Sequence, residues 1–369
     1  MIVSGFNGFG QFGGRRKLEK FEDTLAESVH ADDASAGTLF ACSWNCTAFA
    51  YGNNLCLKGF FAGKTNNFRK LTTKEAIKSL AINDRFCLVL LSNGKLYKLK
   101  LSTDSELEEL TFTPDNHVVP QKRGIFGECK SASSSSLEIE FVACGNNITV
   151  AVSNKNAVFN GTTQAYEFPR HMHTKELQCG FEHAVLLNTN GDIYTWGNGL
   201  RGQLGQAILG RDETPSIVEA LAGLKIITIA AGGWHSAAIS AFGDLYTWGF
   251  NSNGQLGLRV FKNSSSTIKE PAVYPLPQII DLPICNCAKL NSNVSSCPPI
   301  KVVAGGRHTI VVKSCGSLYG CGWNAHNQLG LICARDFVDN FQYIDSISND
   351  RTELVNKVYC GSWCTIIKK

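Results

Sequence analysis

The chain has 369 residues, of which 44% are hydrophobic and 18% charged, and its 35 basic and 31 acidic residues leave a formal net charge of +4. This near balance offers no clustered basic face of the kind that nucleic-acid binding requires. No apolar run approaches the roughly 18 residues of a membrane-spanning helix, and the first ten residues lack the regions of a secretion signal. We therefore expect an intracellular protein with reduced cysteines, without membrane contact or direct sequence-specific nucleic-acid binding.

One pattern recurs along the chain, and its three clear copies lie at 179–205, 231–257 and 304–330. Each copy has a glycine, a histidine three residues later, a second glycine eight residues after the histidine, and a closing Gln-Leu-Gly. A fixed pattern of this length indicates a repeat architecture, in which each unit buries its apolar face on its neighbours.

Weaker copies surround these three. The chain opens at 5–13 with a fragment that matches 249–257, so it begins in the second half of a unit. Degenerate copies follow at 42–59, 83–97 and 144–161, and the chain ends in the first half of a unit. We call the histidine position of each copy the anchor. In chain order the predicted anchors are Asn45, Phe86, Ile148, His183, His235, His308 and Cys364.

Each unit has the pattern of β-strands. Residues 186–196 form two short apolar runs around Asn190-Gly191, which is a strong hairpin signal. Short four-stranded units at this spacing favour a propeller over a linear solenoid, because the half-units at the two ends can complete one another. The prediction is an all-β fold: a single domain over 1–369, a seven-bladed β-propeller with four-stranded antiparallel blades, one of them closed by both termini.

Three stretches interrupt the repeat and are predicted to be loops. The stretch 103–109 is acidic, and 131–136 is rich in serine. The largest, an insertion at 258–299, separates the blades anchored at His235 and His308. Within it, residues 274–283 resemble 214–221, so a normal strand is expected to follow the start of the insertion.

The motifs that could carry chemistry are weak. Residues 8–13 and 197–202 fit Gly-x-Gly-x-x-Gly, but no helical period follows either of them, as a dinucleotide site would require. Because four of the seven anchors are not histidine, we interpret the anchor histidines as buried residues bonded to backbone, and not as a metal site. A loop with chance cysteines explains Cys285, Cys287 and Cys297 better than a metal centre does. No catalytic constellation is predicted, and no cofactor.

The residue just before each anchor varies among large polar and aromatic types. By strand alternation its side chain should point away from the anchor side chain, toward one mouth of the propeller. We predict a protein-binding rim on this basis, because Trp and Arg are enriched in binding hot spots. Packing of each Trp between adjacent blades is the alternative, and it is slightly favoured because tryptophans are usually well buried. The rim candidates are Trp44, Arg85, Glu182, Trp234, Arg307 and Trp363.

The repeat Gly-x-x-His, Gly-x-Ile/Leu-Tyr-x-Trp-Gly, Gly-Gln-Leu-Gly resembles that of the regulator of chromosome condensation family, whose members form seven-bladed propellers with a shared terminal blade. The resemblance is specific over 179–330 and faint over 40–160. Its pattern is most similar to that of a small single-propeller member. That likeness implies a non-enzymatic, monomeric, nuclear adaptor on chromatin, with a Jumonji-type histone demethylase or hydroxylase and histones as its partners.

Two other functions remain open. The founding member of the family is an exchange factor for a small nuclear GTPase, so guanine nucleotide exchange is the alternative function. None of the residues on which exchange depends is matched here, and the basic tail used there for nucleosome docking has no counterpart before the first strand. A hydrolase that uses the propeller channel is a third possibility, without positive support in the sequence.

Overall fold

The computed structural model describes residues 2–12, 38–113, 137–260, 273–285, 297–331, 336–344 and 358–367, and the backbone of the strand at 17–23. These residues form seven four-stranded antiparallel sheets, arranged as the blades of a propeller. The all-β, seven-bladed prediction is confirmed. No helix in this part of the chain is long and apolar enough to cross a membrane.

The strands are numbered in chain order. The chain begins with β1 (Ile2–Phe6) and β2 (Lys17–Asp23). Blade 1 contains β3 (Leu39–Cys42), β4 (Cys46–Tyr51), β5 (Asn54–Phe61) and β6 (Lys64–Thr72). Blade 2 contains β7 (Ile77–Ile82), β8 (Phe86–Leu91), β9 (Leu96–Lys100) and β10 (Glu108–Glu109). Blade 3 contains β11 (Ile139–Cys144), β12 (Thr149–Ser153), β13 (Ala157–Asn160) and β14 (Thr163–Glu167).

The second half of the chain continues in the same way. Blade 4 contains β15 (Thr174–Cys179), β16 (His183–Asn188), β17 (Ile193–Asn198) and β18 (Arg211–Ile217). Blade 5 contains β19 (Ile226–Ala231), β20 (His235–Ser240), β21 (Leu245–Phe250) and β22 (Val273–Ile280). Blade 6 contains β23 (Pro299–Ala304), β24 (His308–Lys313), β25 (Leu318–Trp323) and β26 (Phe337–Ile344). The last strands are β27 (Val358–Cys360) and β28 (Cys364–Ile367).

Blade 7 is built from both ends of the chain, in the order β2-β1-β28-β27. Strand β1 pairs antiparallel with β28, with Ile2 opposite Ile367 and Gly5 opposite Cys364. The predicted blade closed by the two termini is therefore confirmed.

The apolar core lies between blades. One cluster joins Ala48 and Leu57 of blade 1 to Val89 of blade 2, and another joins Leu186 of blade 4 to Val152 of blade 3. Burying an aliphatic side chain of this size contributes roughly 1.5–3 kcal/mol. Because each cluster needs two neighbouring blades, no blade has a complete core of its own.

Two predicted loops contain strands. The acidic stretch 103–109 ends in β10, the outer strand of blade 2. The range 258–299 contains β22, the fourth strand of blade 5, as the likeness of 274–283 to an earlier strand entry suggested. The range therefore contains two connections, one before β22 and one after it. They start at opposite mouths of the propeller, because β22 runs from one mouth to the other. The serine-rich stretch 131–136 lies outside the described residues.

Candidate functional site: one mouth of the propeller

Two kinds of segment meet at one mouth of the propeller. The turn between the first and second strands of a blade carries the anchor and the residue before it. The tail between the third and fourth strands carries the Gly-Gln-Leu-Gly motif. Since strands alternate in direction, both segments lie at the same mouth, which we call the rim mouth.

The anchor histidines hold neighbouring blades together. His183 Nε2 lies 2.8 Å from Ser236 Oγ, and His235 Nε2 lies 2.9 Å from Thr309 Oγ1. His308 Nε2 lies 3.2 Å from Thr365 Oγ1. Each partner hydroxyl belongs to the next blade. The prediction of a bond to backbone missed this hydroxyl, which is the partner of each Nε2. Backbone contacts are made by His235 with His308 and by His308 with Cys364.

The tail explains which tautomer these histidines adopt. Ser236 Oγ donates to the Gln203 carbonyl at 2.9 Å, and Thr309 Oγ1 donates to the Gln255 carbonyl at 2.7 Å. A hydroxyl that donates to a carbonyl must accept from the imidazole, so the ring carries its proton on Nε2. Burial lowers the pKa of His183 and His235 to about 3 and that of His308 to about 4. The three rings are therefore neutral at physiological pH.

The repeated tryptophan and glycine have structural roles in the same contact. Trp248 is fully buried, and its Nε1 donates to the Gln203 carbonyl of the preceding blade at 2.9 Å. A Cβ on Gly232 would collide with the His235 ring, which explains why glycine precedes the anchor by three residues. The strongest part of the repeat is therefore scaffold, and the functional surface must lie beside it.

The anchor of blade 1 is Cys46, so the prediction of Asn45 is wrong by one residue. The Ser43 amide donates to the Cys46 carbonyl at 2.9 Å, as the Gly232 amide does to the His235 carbonyl at 2.8 Å. Cys46 also pairs with Gly59, as His235 pairs with Gly249. The hairpin between β4 and β5 is one residue shorter than in the clear copies, which shifted the alignment. Trp44 therefore lies two residues before its anchor.

The structure brings the predicted rim residues of blades 5, 6 and 7, two tryptophans and an arginine, together at the rim mouth. The Arg307 guanidinium lies 5.7 Å from the Trp234 ring centroid and 5.9 Å from that of Trp363. Phe181 packs edge-on against Trp234, with ring centroids 5.0 Å apart. Trp234, Arg307 and Trp363 are all partly exposed. They pack on one another and still present surface to solvent.

Arg85 and Glu182 form a polar continuation of the rim through blades 2, 3 and 4. The Arg85 guanidinium lies 3.5 Å from Asn147 Oδ1 and also donates to the Asn146 carbonyl. Asn147 Nδ2 donates to Glu182 Oε1 at 3.3 Å, and Asn198 Nδ2 donates to Glu182 Oε2 at 3.0 Å. All six predicted rim residues therefore lie at one mouth, with an aromatic and cationic side and a polar side.

The repeat that makes the contacts between blades also occurs in known proteins. Two profiles described as regulator of chromosome condensation (RCC1) repeats match the chain. One covers 190–239 and 243–312, and the other covers 175–203, 226–255 and 300–328. The chain therefore contains RCC1 repeats over residues 175–328.

Curated RCC1 relatives match part of the chain. Human RCC1 domain-containing protein 1 is 33% identical over 226 residues, which are 53% of this chain and 56% of the relative. The chain spans about half the length of the curated relatives that it matches.

Solved structures match the whole fold. Yeast RCC1 (Prp20) bound to Kap60 has a TM-score of 0.71 at 18% identity, covering 100% of this chain and 88% of its own. A second structure of this Saccharomyces cerevisiae protein, described with its binding properties to Gsp1p and histones, has a TM-score of 0.69 at 18% identity, covering 99% and 90%. At these identities the likeness establishes the RCC1 fold alone.

Sequence reasoning missed a second set of rim residues, contributed by the RCC1 tails. The Arg201 guanidinium lies 4.3 Å from the Trp234 ring centroid, and the Phe9 ring lies 5.3 Å from that of Trp44. Each of these residues stands two places before a tail glutamine, and each contacts the rim residue of the next blade. The other contacts of this kind are Asn253 with Arg307 and His326 with Trp363. The fixed spacing before the tail Gln was a signal that could have identified them.

Exposed apolar side chains extend the rim over blade 4. In the connection between β17 and β18, Leu200 is 63% exposed and Ile208 is 84% exposed. Leu200 is the neighbour of Arg201, so this apolar surface adjoins the Arg201–Trp234 contact. Large exposed apolar side chains beside an aromatic and cationic cluster are typical of a protein-binding surface.

The central channel is less suited to chemistry. The inner strands enclose a volume of about 420 Å³, and its lining includes Glu176, Lys301, Cys144 and Cys360. Burial raises the pKa of the Cys144 and Cys360 thiols to about 12. These thiols are therefore protonated, whereas the thiolate is the nucleophilic form. The channel gives no support to a hydrolase.

Proposed function

We propose that this RCC1-repeat chain is a non-enzymatic protein-interaction scaffold that binds its partner at the rim mouth. The observation that carries the proposal is the contact of Arg307 with Trp234 and Trp363. These three partly exposed residues come from adjacent blades, hold one another in place, and are of the types enriched in binding hot spots. Side chains already ordered before binding lose little conformational freedom when a partner docks, so more of the contact energy appears as affinity.

The two sides of the rim suggest the chemistry of the partner. Arg201 and Arg307 lie over Trp234, and their guanidinium groups can donate hydrogen bonds to carboxylates of a partner beside apolar side chains. Leu200 and Ile208 extend the apolar part outward. A partner segment that places acidic residues next to large apolar ones fits this surface.

We further propose that the protein is a nuclear, chromatin-associated adaptor for a Jumonji-type histone demethylase or hydroxylase, with histones as additional partners. The repeat resemblance and the 33% identity to human RCC1 domain-containing protein 1 support this role. The histone binding named with the yeast RCC1 structure supports a chromatin partner.

The test is affinity purification from nuclear extract, followed by mass spectrometry, with Trp234→Ala and Arg307→Ala as rim variants. Phe242→Ala is the matched control, because Phe242 is an aromatic residue, 81% exposed, in the hairpin between β20 and β21 at the opposite mouth. We expect both rim variants to lose roughly tenfold or more of the captured oxygenase or histone, with a melting temperature close to that of the control. A fall of several degrees in melting temperature with unchanged capture would show that the rim residues serve only in packing.

Guanine nucleotide exchange is the alternative function. The observation in its favour is the fold match to a yeast RCC1 structure described with its binding to Gsp1p. Purified chain added to a nucleotide-loaded small GTPase distinguishes the two functions. A strongly stimulated release rate would favour exchange, and an unchanged rate beside oxygenase or histone capture would favour the adaptor.

A further inference from the structure

Three cysteines that are distant in sequence meet at the mouth opposite the rim. Cys285 follows β22, Cys297 precedes β23, and Cys315 lies in the turn between β24 and β25. Their Sγ atoms all lie within 4.8 Å of one another, and Cys285 Sγ is 3.2 Å from Cys315 Sγ. The sequence grouped Cys285 and Cys297 with Cys287, which lies outside the described residues, and gave no indication of Cys315.

Hydrogen bonds hold the backbone around the three cysteines. The Gly316 amide donates to the Lys313 carbonyl at 2.8 Å, which closes the turn that carries Cys315. The Ser314 amide donates to the Pro298 carbonyl at 2.9 Å, which ties that turn to the residue after Cys297. Cys285 and Cys297 are buried, with 2% and 9% exposure. The thiols therefore converge from positions fixed by the fold.

Two polar side chains support a negative charge at this place. Ser317 Oγ lies 3.3 Å from Cys285 Sγ and 3.2 Å from Cys315 Sγ. Lys313 is buried, and its Nζ donates to the Pro283 carbonyl, two residues before Cys285. A buried ammonium is costly unless a negative group lies nearby. Lys313 Nζ also lies 4.8 Å from the Tyr319 ring centroid, and metal-bound thiolates at the cluster would add a negative charge to these surroundings.

We propose that Cys285, Cys297 and Cys315 bind a structural zinc ion. In a tetrahedral site with Zn–S distances of about 2.3 Å, the sulfur atoms stand roughly 3.8 Å apart. The observed separations, from 3.2 Å to at most 4.8 Å, bracket that value. The fourth ligand is a water molecule or the Ser317 hydroxyl. On binding, three thiols lose three protons to solvent and form three Zn–S bonds, leaving a net charge of −1 on the zinc ion and its three sulfur ligands.

The zinc ion would join blade 5 to blade 6. Cys285 ends the described part of the connection that leaves β22, Cys297 begins blade 6, and Cys315 belongs to a hairpin of blade 6. Metal binding would hold both ends of the β22–β23 connection against that hairpin. This site is independent of the rim mouth, which lies at the other end of the strands.

The test uses the full chain, purified with a non-thiol reductant, dialysed against Zn²⁺ and then freed of excess metal. We expect about one zinc per chain by elemental analysis. Replacement by Co²⁺ should give the intense visible bands of a tetrahedral site and a thiolate-to-cobalt charge-transfer band. Cys285→Ser and Cys315→Ser should each weaken binding at least tenfold. Cys321→Ser is the matched control, since Cys321 is a buried cysteine of blade 6 outside the cluster.

A measurement on the unmodified chain covers the case in which a serine variant does not fold. Alkylation with N-ethylmaleimide, with and without Zn²⁺, should show protection by zinc at Cys315, the partly exposed thiol of the cluster, and no effect of zinc at Cys42, a partly exposed thiol outside it. A chain that takes up no zinc, a cobalt spectrum without thiolate bands, or a Cys285–Cys315 disulfide in protein isolated under alkylating conditions would each overturn the proposal.

Discussion

At the scale of single residues, the anchor histidines act as neutral donors inside the contact between blades. His235 donates from Nε2 to Thr309 Oγ1, whose own proton goes to the Gln255 carbonyl. Protonation of the ring would place a charge in a fully buried site that offers no negative partner among the described contacts. The histidine of this RCC1 repeat therefore makes folding sensitive to acid.

We predict that the free energy of unfolding falls as the pH decreases from about 6.5 toward 4. The folded-state pKa values of about 3 to 4 lie below the unfolded value, so the unfolded chain binds more protons in this range. Each histidine then lowers the free energy of unfolding at pH 5 by roughly 2 kcal/mol relative to neutral pH. Urea unfolding at pH 7.5 and pH 5 measures the difference. In His235→Gln this difference in the free energy of unfolding should be smaller by roughly 2 kcal/mol, the contribution of one histidine. An unchanged difference would show that His235 is not the neutral, buried group described above.

At the scale of elements, the pairing of β1 with β28 depends on a close approach that only glycine permits. Gly5 has a φ of +124°, and a Cβ there would lie 2.7 Å from the Cys364 Cα atom. Gly52 has a φ of +56°, and a Cβ there would meet nothing within 4 Å. A substitution at Gly52 therefore adds backbone strain alone, whereas a substitution at Gly5 adds backbone strain and a steric collision.

We predict that Gly5→Ala lowers the free energy of unfolding by about 3 kcal/mol and Gly52→Ala by about 1 kcal/mol. Both changes strain the backbone, but only the first forces β1 away from β28. Chemical denaturation gives the totals, and hydrogen exchange should show that Gly5→Ala exposes the amides of β1 and β28 selectively. Equal costs, or exchange spread evenly over the blades, would contradict this account.

At the scale of the whole molecule, each core cluster bridges two blades, so the ring must be closed for every blade to be fully packed. Val3 and Phe12 pack with Cys364 and Ile366 in the cluster that includes the partly buried Cys42 of blade 1. Loss of β27 and β28 would therefore expose the flanks of blades 1 and 6 as well as that of blade 7.

We predict that a chain truncated after Ile344 loses cooperative unfolding, because β1 and the flanks of blades 1 and 6 lose their partners. The control is a circular permutant in which residues 1 and 369 are joined by a flexible linker and the chain is opened at Gly223, an exposed turn residue. The permutant keeps all the strands and should unfold in one transition, as monitored by circular dichroism. A cooperative transition in the truncated chain would show that six blades suffice.

The sequence was sufficient to predict the seven blades and the shared blade, because the spacing of Gly, His and Gln-Leu-Gly reflects contacts that every strong blade repeats. It misplaced the anchor of blade 1, because a hairpin shorter by one residue at Gly52 is invisible without backbone pairing. It located the six rim candidates but not Arg201 or Phe9, whose partners lie in the following blade. It also missed Cys315, because convergence with Cys285 depends on how two blades are juxtaposed.

Strands β1 and β28 also determine how the ring responds to tension. Ile2, the first residue of β1, stands directly opposite Ile367, the last residue of β28. The start of β1 and the end of β28 therefore lie at the same end of the ladder that the two strands form. A force that pulls the start of β1 away from the end of β28 breaks the hydrogen-bonded pairs one after another, beginning with Ile2 and Ile367. The pairs therefore never share the load. The seam of the propeller therefore has low mechanical strength, even though each pair within it is fully buried.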